Sequence, residues 1–426
     1  MSQARAIVEG LRSGIPYRET AEAMTVGREP NLRALANLMD AVSQGRSPKT
    51  RAQIVRGQYG EGKTHLMHAL AAQAWDANWV VSLISLSKET PLDRLDHLYP
   101  KLLANIYRPG SNQPGIEPIV AEALSSPHLL AEARDVELTE RTRTVVDNLA
   151  RQNAGFAELT ADIGGRFLTT AELKRIHREN FTKPLKMAAT RIRDEIPAYF
   201  RLVDWLIRRA DYGGWLLLFD EVELIGKLGR GGRAHSYANL GRFFEGVGER
   251  TLSVFSVAGN FQTDVVVARH DMEGAPQWLS ARPREAGEAR FAEIALQELA
   301  AAHPLDPPTS GQIRQMLERV YALHQEAYQW SPPFAPDDFY DRVRQHVGTF
   351  DARLRTWIRI ALTLLDVALQ YGDDDAEATI HAGVLADIDL SADPDAGQEE
   401  GQEAAESDAE DLENPGVSRR RLFDKG

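Results

Sequence analysis

The residues best suited to chemistry lie between Gly57 and Thr64. Gly57-Gln58-Tyr59-Gly60-Glu61-Gly62-Lys63-Thr64 fits G-x-x-x-x-G-K-[ST], a loop whose backbone N–H groups wrap a phosphate chain. Gly57, Gly60 and Gly62 can take backbone angles closed to other residues. Lys63 is a point charge for the β- and γ-phosphates, and the Thr64 hydroxyl can complete the shell of a Mg²⁺ ion. His65 follows directly. A second constellation is Asp220-Glu221, which closes the apolar run Trp215-Leu216-Leu217-Leu218-Phe219. One acid can hold the Mg²⁺ through water and the other can polarise an attacking water. The third candidate is Asn260, just past the run from Thr251 to Ala258. An Asn there can position the water or sense the γ-phosphate, or simply occupy a turn.

These groups need a sheet edge to hold them. Ala52 to Val55 is predicted as a short buried strand leading into the loop, and Thr64 to Trp75 as a helix whose positive end would face the phosphates. Trp79 to Leu86, Trp215 to Phe219 and Thr251 to Ala258 are apolar runs of the kind found in parallel sheets covered on both faces. Arg290 to Leu296 alternates, which predicts a final strand. Acids at the ends of such strands lie at the carboxyl edge, where open α/β sheets bind ligands. From Pro91 to about Ala210 no strand is expected. Helical patterns at Leu92 to Ile106, Pro118 to Leu130 and Thr170 to Asn180 suggest a helical insertion. Helical patterns also precede the loop (Ile7, Val8, Leu11 and Ile15, then Leu32, Leu35, Leu38, Met39 and Val42) and cover Phe261 to Ala281. A linker at Pro304 to Pro308 leads to three more: Ser310 to Ala327, Pro336 to Val347 and Ala352 to Gln370.

Composition narrows the class. Among 426 residues, 43% are hydrophobic and 26% charged, the balance of a globular protein. The absence of Cys excludes disulfides and thiolate metal sites and fits a cytoplasmic location. No apolar run approaches the length of a membrane span or a signal-peptide core, so neither is expected. The formal net charge of -13 is concentrated at one end: residues 373–414 hold 16 acidic and no basic residues and 415–426 carry a net +3, which leaves 1–372 neutral. That segment is expected to be disordered, either as a spacer or as a docking peptide or DNA mimic. Residues 174–209 carry ten basic and four acidic residues. They read as a solvated helix face or as a contact for DNA or an acidic partner. The same two readings apply to a flexible basic loop expected at 229–233.

The order of P-loop, strand, helical region, Asp-Glu strand, Asn-ended strand and helical end resembles the AAA+ ATPases over about residues 20–372. Arg12-Ser13-Gly14-Ile15-Pro16, Val26-Gly27-Arg28, the loop through His65-Leu66, and the insertion ahead of Phe219-Asp220-Glu221 resemble the origin-recognition and helicase-loader group. They resemble still more closely the P-loop ATP-binding proteins of BREX phage-defence systems. The resemblance implies an α/β fold: an AAA+ type parallel αβα sandwich with a large helical insertion at about 91–210, a C-terminal helical lid and an acidic disordered tail. It implies a leading segment 1–50, a core 51–298, a lid 299–372 and a tail 373–426. It implies ATP and Mg²⁺, with residues 57–65 on the phosphates, Gly27 and Arg28 at the adenine, and Thr64 and Asp220 on the metal. Glu221 and Lys63 would be catalytic, Asn260 a sensor, and Arg353 (or Arg355) the arginine of the lid. Arg282 or Arg284 would be an arginine finger for a neighbour's site, or ordinary surface. The implied function is an ATPase of a BREX-like anti-phage system acting on or with DNA, as a homo-oligomer or with a defence or helicase partner. The alternative is a nucleotide-dependent switch or helicase-loader-like protein. Where origin-recognition proteins carry a winged helix after the lid, this chain has the acidic segment.

Overall fold

The computed structural model describes residues 2–13, 21, 23–125, 133–151, 153–347 and 354–372. In chain order the elements begin with α1 (Gln3–Ser13), α2 (Glu29–Ser43), β1 (Ala52–Gly57), α3 (Lys63–Asp76) and β2 (Val80–Ser85). Next come α4 (Leu95–Ala104), β3 (Ile106–Tyr107), α5 (Glu117–Ser125), α6 (Glu140–Leu149), α7 (Phe156–Ile163), α8 (Thr170–Phe181) and α9 (Ile192–Arg209). Then follow β4 (Trp215–Asp220), α10 (Arg230–Glu245), β5 (Thr251–Ala258), α11 (Asp271–Ser280) and α12 (Ala289–Ala301). The described chain ends with α13 (Ser310–Tyr328), α14 (Pro336–Val347) and α15 (Leu354–Tyr371). Several starts are written locally. Thr139, Thr169 and Thr309 cap α6, α8 and α13 in reciprocal boxes with Thr142, Glu172 and Gln312.

The sheet order is β1-β5-β4-β2-β3. Strands β1, β5, β4 and β2 are parallel, and only the two-residue β3 runs antiparallel, against β2 at the edge. Alternation sorts the side chains between two helical layers. Leu216 and Leu218 of β4 and Leu252 and Val254 of β5 share a core with α2 and α3. Trp215, Leu217, Phe219, Phe255 and Val257 join a larger core with α10, α12 and the insertion helices. The fold is therefore a three-layer α/β arrangement with both sheet faces covered. Asp204 ties the insertion to the sheet: its carboxylate accepts the N–H groups of Glu249 (3.1 Å) and Arg250 (2.9 Å) and the Thr251 hydroxyl (2.8 Å). Helix α9 is thus fixed to the start of β5. Among the described residues no helix is long and apolar enough to cross a membrane.

Three expectations need correction. Arg290 to Leu296 is helix, within α12. Its buried residues Ala289, Ala292, Leu296 and Leu299 recur at helical spacing, and alanine favours the helix over the strand suggested by short-range alternation. The outer edge of β1 instead takes a single parallel bridge between Arg56 and Pro304. The basic stretch at 229–233 is no loop, since α10 begins at Arg230. Arg233 is buried and bonds both carboxylate oxygens of Asp271 (2.8 and 3.1 Å) and the Leu228 carbonyl (2.8 Å), so it is not available to a polynucleotide. The region 91–210 does hold one short strand, β3, which pairs only at Val81–Tyr107 and Ser82–Ile106.

Residues 1–50 divide between two cores. Ile7, Val8 and Leu11 of α1 pack with α13, α14 and α15. Leu35, Met39 and Val42 of α2 pack on the sheet side with α3. A polar latch reinforces the first contact: Arg12 bonds Asp366 and Tyr328, and His324 Nε2 lies 2.9 Å from Asp366 Oδ1.

Candidate functional site

β1 runs straight into the loop because Gly57 leaves room for it. An added Cβ there would lie 2.9 Å from Glu61 Oε2 and 3.4 Å from Leu305 Cδ1. Gly57 itself does not take a left-handed angle, contrary to expectation. Gly60 and Gly62 do, at φ of 82° and 86°. Gly62 is the N-cap of α3 and offers no side chain to the helix's first N–H groups, so that end faces the loop as a site for an anion. Lys63 Nζ spans the loop, donating to the carbonyls of Gly57 (2.9 Å) and Gln58 (3.3 Å). Glu61 accepts the Gln58 N–H at 2.7 Å. Tyr59 stands out from the loop, and its hydroxyl accepts from Arg355 Nη1 at 3.1 Å.

Strand β4 delivers Asp220 to the same place. Its Oδ2 accepts the Thr64 hydroxyl at 2.7 Å, although the two residues lie 156 positions apart. Its Oδ1 accepts the Ser256 hydroxyl of β5 and the Glu221 N–H. A hydroxyl and a carboxylate oxygen side by side are the hard donors a small divalent cation takes. Among the described residues no group of three or more His, Asp or Glu could hold a metal by protein ligands alone. Glu221 sits at φ 61°, ψ 40°, a left-handed conformation for a residue with a side chain. Such an angle costs about 1–2 kcal/mol. The turn gives Glu221 a place in the wall of the cavity above Lys63 and Thr64.

That cavity is about 300 Å³. Its floor is Tyr59, Gly60 and Gly62 to His65. Its apolar walls come from Leu11 and Met24, Met316 of α13, and Leu354 and Ile358 of α15, with Arg355 at the rim. It has the size and mixed lining of a small-molecule site. His65 is fixed beneath it. Thr25 gives its hydroxyl proton to the Ala21 carbonyl, so His65 Nε2, 3.0 Å away, is the donor to Thr25 Oγ1. Burial pushes the His65 pKa down to about 4, and the nearby His68 and Arg28 act in the same direction. A larger cavity of about 470 Å³ opens among Arg51, Asp204 and Gly246 to Glu249, at the opposite rim of the sheet. It contains no P-loop residue.

The remaining candidates fall in several places. Arg28 is a buried strut, donating to the carbonyls of Glu61 and Asp306 at 2.9 Å each. Gly27 packs against Gln312. Neither lines the main cavity, though Arg28 borders a smaller neighbouring one with Gly62 and His65. Asn260 gives its side chain to Asp264 at 2.6 Å, beside rather than in the cavity. Arg282 and Arg284 are exposed on the turn after α11. Arg282 lies over the Trp278 ring at 3.3 Å. Arg353, residues 14–20 and the acidic segment 373–426 lie outside the described residues. Sequence reasoning missed Ser256, Glu223 and the cavity wall from α1. The one available signal for Ser256 was a polar residue inside an apolar strand.

One family model matches the stretch that holds the P-loop. The family model of the BREX system ATP-binding protein BrxC/D matches residues 1–158, which include the P-loop and end ahead of β4. It supports a BrxC/D-like, ATP-binding assignment. No curated protein matches the chain. Among solved structures, the Walker-type ATPase PABY2304 of Pyrococcus abyssi aligns with 84% of this chain and 71% of its own, at 12% identity and a TM-score of 0.35.

Proposed function

We propose that the chain binds ATP with Mg²⁺ in the cavity above the P-loop and hydrolyses it, as the ATPase of a BREX-like defence assembly acting on or with DNA. The observation that carries this reading is the contact between Thr64 and Asp220, which joins the start of α3 to the end of β4 at the carboxyl edge of the sheet. The residues present fit the ion: Mg²⁺ held by the Thr64 hydroxyl and Asp220 would offset charge on the β- and γ-oxygens. Lys63 and the N–H groups at the start of α3 bind the triphosphate. Glu221 orients a water and takes its proton as the water oxygen bonds to the γ-phosphorus. The bond to the bridging oxygen breaks and ADP leaves. Arg355, at the cavity rim, would meet the γ-phosphate, with Arg353, two positions earlier, as the other candidate. Positioning and charge supply most of such a rate.

In the same reading, 51–298 is the ATPase core with its insertion and 299–372 the lid, which α1 completes. A cytoplasmic location fits. Arg282 or Arg284 completes a neighbouring copy's site. DNA contact narrows to 178–193, where Arg178, Lys183, Lys186, Arg191 and Arg193 are all exposed. Elsewhere in the basic region Arg175 pairs with Glu158 and Glu179, and Arg208 with Asp204 and Glu249.

A switch reading stands beside it because the cavity walls belong to α1, α13 and α15. Binding alone therefore changes what those helices touch. Glu221→Gln separates the two readings. Phosphate release should fall by about a hundredfold or more while ATP binding persists. Unchanged release would remove Glu221 from the mechanism. Full biological function in the non-hydrolysing variant would favour the switch.

A further inference from the structure

Strand β5 stands between the P-loop strand and β4, and three site residues grip its end. Pairing of β4 with β5 stops at Phe219–Phe255, whereas β5 continues beside β1 as far as Gly57–Ala258. The last residues of β5 thus outrun their neighbour on one side. Asp220 takes the Ser256 hydroxyl. Gln58 packs on Gly259, where an added Cβ would lie 2.7 Å from its Nε2. The Ala258 N–H donates to Glu223 Oε2 at 3.1 Å.

Glu223 reaches that position because of how the chain leaves β4. The left-handed turn at Glu221 starts a short 3₁₀ segment, Val222–Lys227. Its Val222 and Ile225 are buried, which fixes the segment against the core. Burial raises the Glu223 carboxyl above the usual range. Backbone hydrogen bonds, one of them from Ala258, and the charge of Lys63 work against that shift, and the charge of Asp220 adds to it. Glu223 does not line the cavity, whereas Glu221 does.

We infer that Glu223 is a positioning residue of the hydrolytic site: through the Ala258 N–H it holds the end of β5, and hence the Asn260 turn, in register with Lys63 and Asp220. The inference rests on the ATPase reading above. Glu221 meets the water, and Glu223 keeps the strand that faces the γ-phosphate from drifting. A small displacement there costs turnover more than binding, because a ground-state complex tolerates what the transition state does not.

The test uses the full chain as wild type, Glu223→Ala and Glu223→Gln. It measures kcat, KM, equilibrium binding of ATP with Mg²⁺, and thermal unfolding. Removing the acceptor in Glu223→Ala should lower kcat by about tenfold or more while ATP affinity changes by less than about threefold. Glu223→Gln keeps an oxygen for the Ala258 N–H and should return kcat to within about threefold of wild type. The inference is overturned if Glu223→Ala turns over like wild type. It is also overturned if kcat and affinity fall together with a lower melting temperature, or if Glu223→Gln fails as badly as Glu223→Ala. A wild-type chain that releases no phosphate removes the ATPase reading itself, and this inference with it.

Discussion

Thr64 and Asp220 meet although the sequence separates them widely, and the contact follows from where two strands end rather than from any local pattern. At this scale the least obvious residue is His65. Its folded pKa is depressed from 6.5 to about 4, so the folded state holds it neutral while the unfolded chain takes up a proton in between. The unfolded state binds more protons in that window, so stability is fully present above pH 6.5 and is lost as pH falls toward 4. His68 is also lowered by burial and adds in the same direction, although Asp220 opposes it. Melting temperatures at pH 7 and pH 5 should therefore differ for the wild type and differ less for His65→Gln. Identical losses in both would assign the acid sensitivity elsewhere.

Among the elements, those nearest the chemistry were the most legible. β4 is a continuous apolar run and β5 a largely apolar one because both sheet faces are covered, and the glycines of the loop announce the turn into α3. The backbone demand at Gly62 gives a direct check. An Ala there meets nothing closer than 3.9 Å, so its cost is the left-handed angle alone, about 1–2 kcal/mol. Thermal unfolding of Gly62→Ala should show that loss, and an unchanged midpoint would contradict the loop geometry. Other elements were not legible, for definite reasons. In α12, Arg290 and Glu293 interrupt the apolar residues Phe291, Ile294 and Leu296, and over so few positions that mix of polar and apolar residues passes for a strand. Arg233 looked like a solvated charge because its partner Asp271 lies 38 positions away. Nothing local to Glu223 points to the Ala258 N–H. Pairings that depend on the tertiary path leave little trace in spacing.

The whole molecule puts the candidate ATP cavity between the sheet's carboxyl edge and a helical unit that takes α1 from the far end of the chain. The latch of Arg12, Asp366 and His324 holds the first helix where it forms part of the cavity's wall, which the order of segments did not suggest. ATPase rate per chain against protein concentration, with and without DNA, tests the assembly readings together. A rate that rises with concentration and falls in Arg282→Ala or Arg284→Ala supports a shared site. Stimulation by DNA that disappears in Lys183→Glu supports the exposed basic segment. A flat response to both would assign neither role. The most direct test of the central claim is calorimetric titration of the chain with ATP and Mg²⁺, wild type against Lys63→Ala. The account predicts one ATP per chain for the wild type and binding weakened by about a hundredfold in the variant. A wild type that takes up no ATP, or a Lys63→Ala chain that binds it equally well, would contradict it.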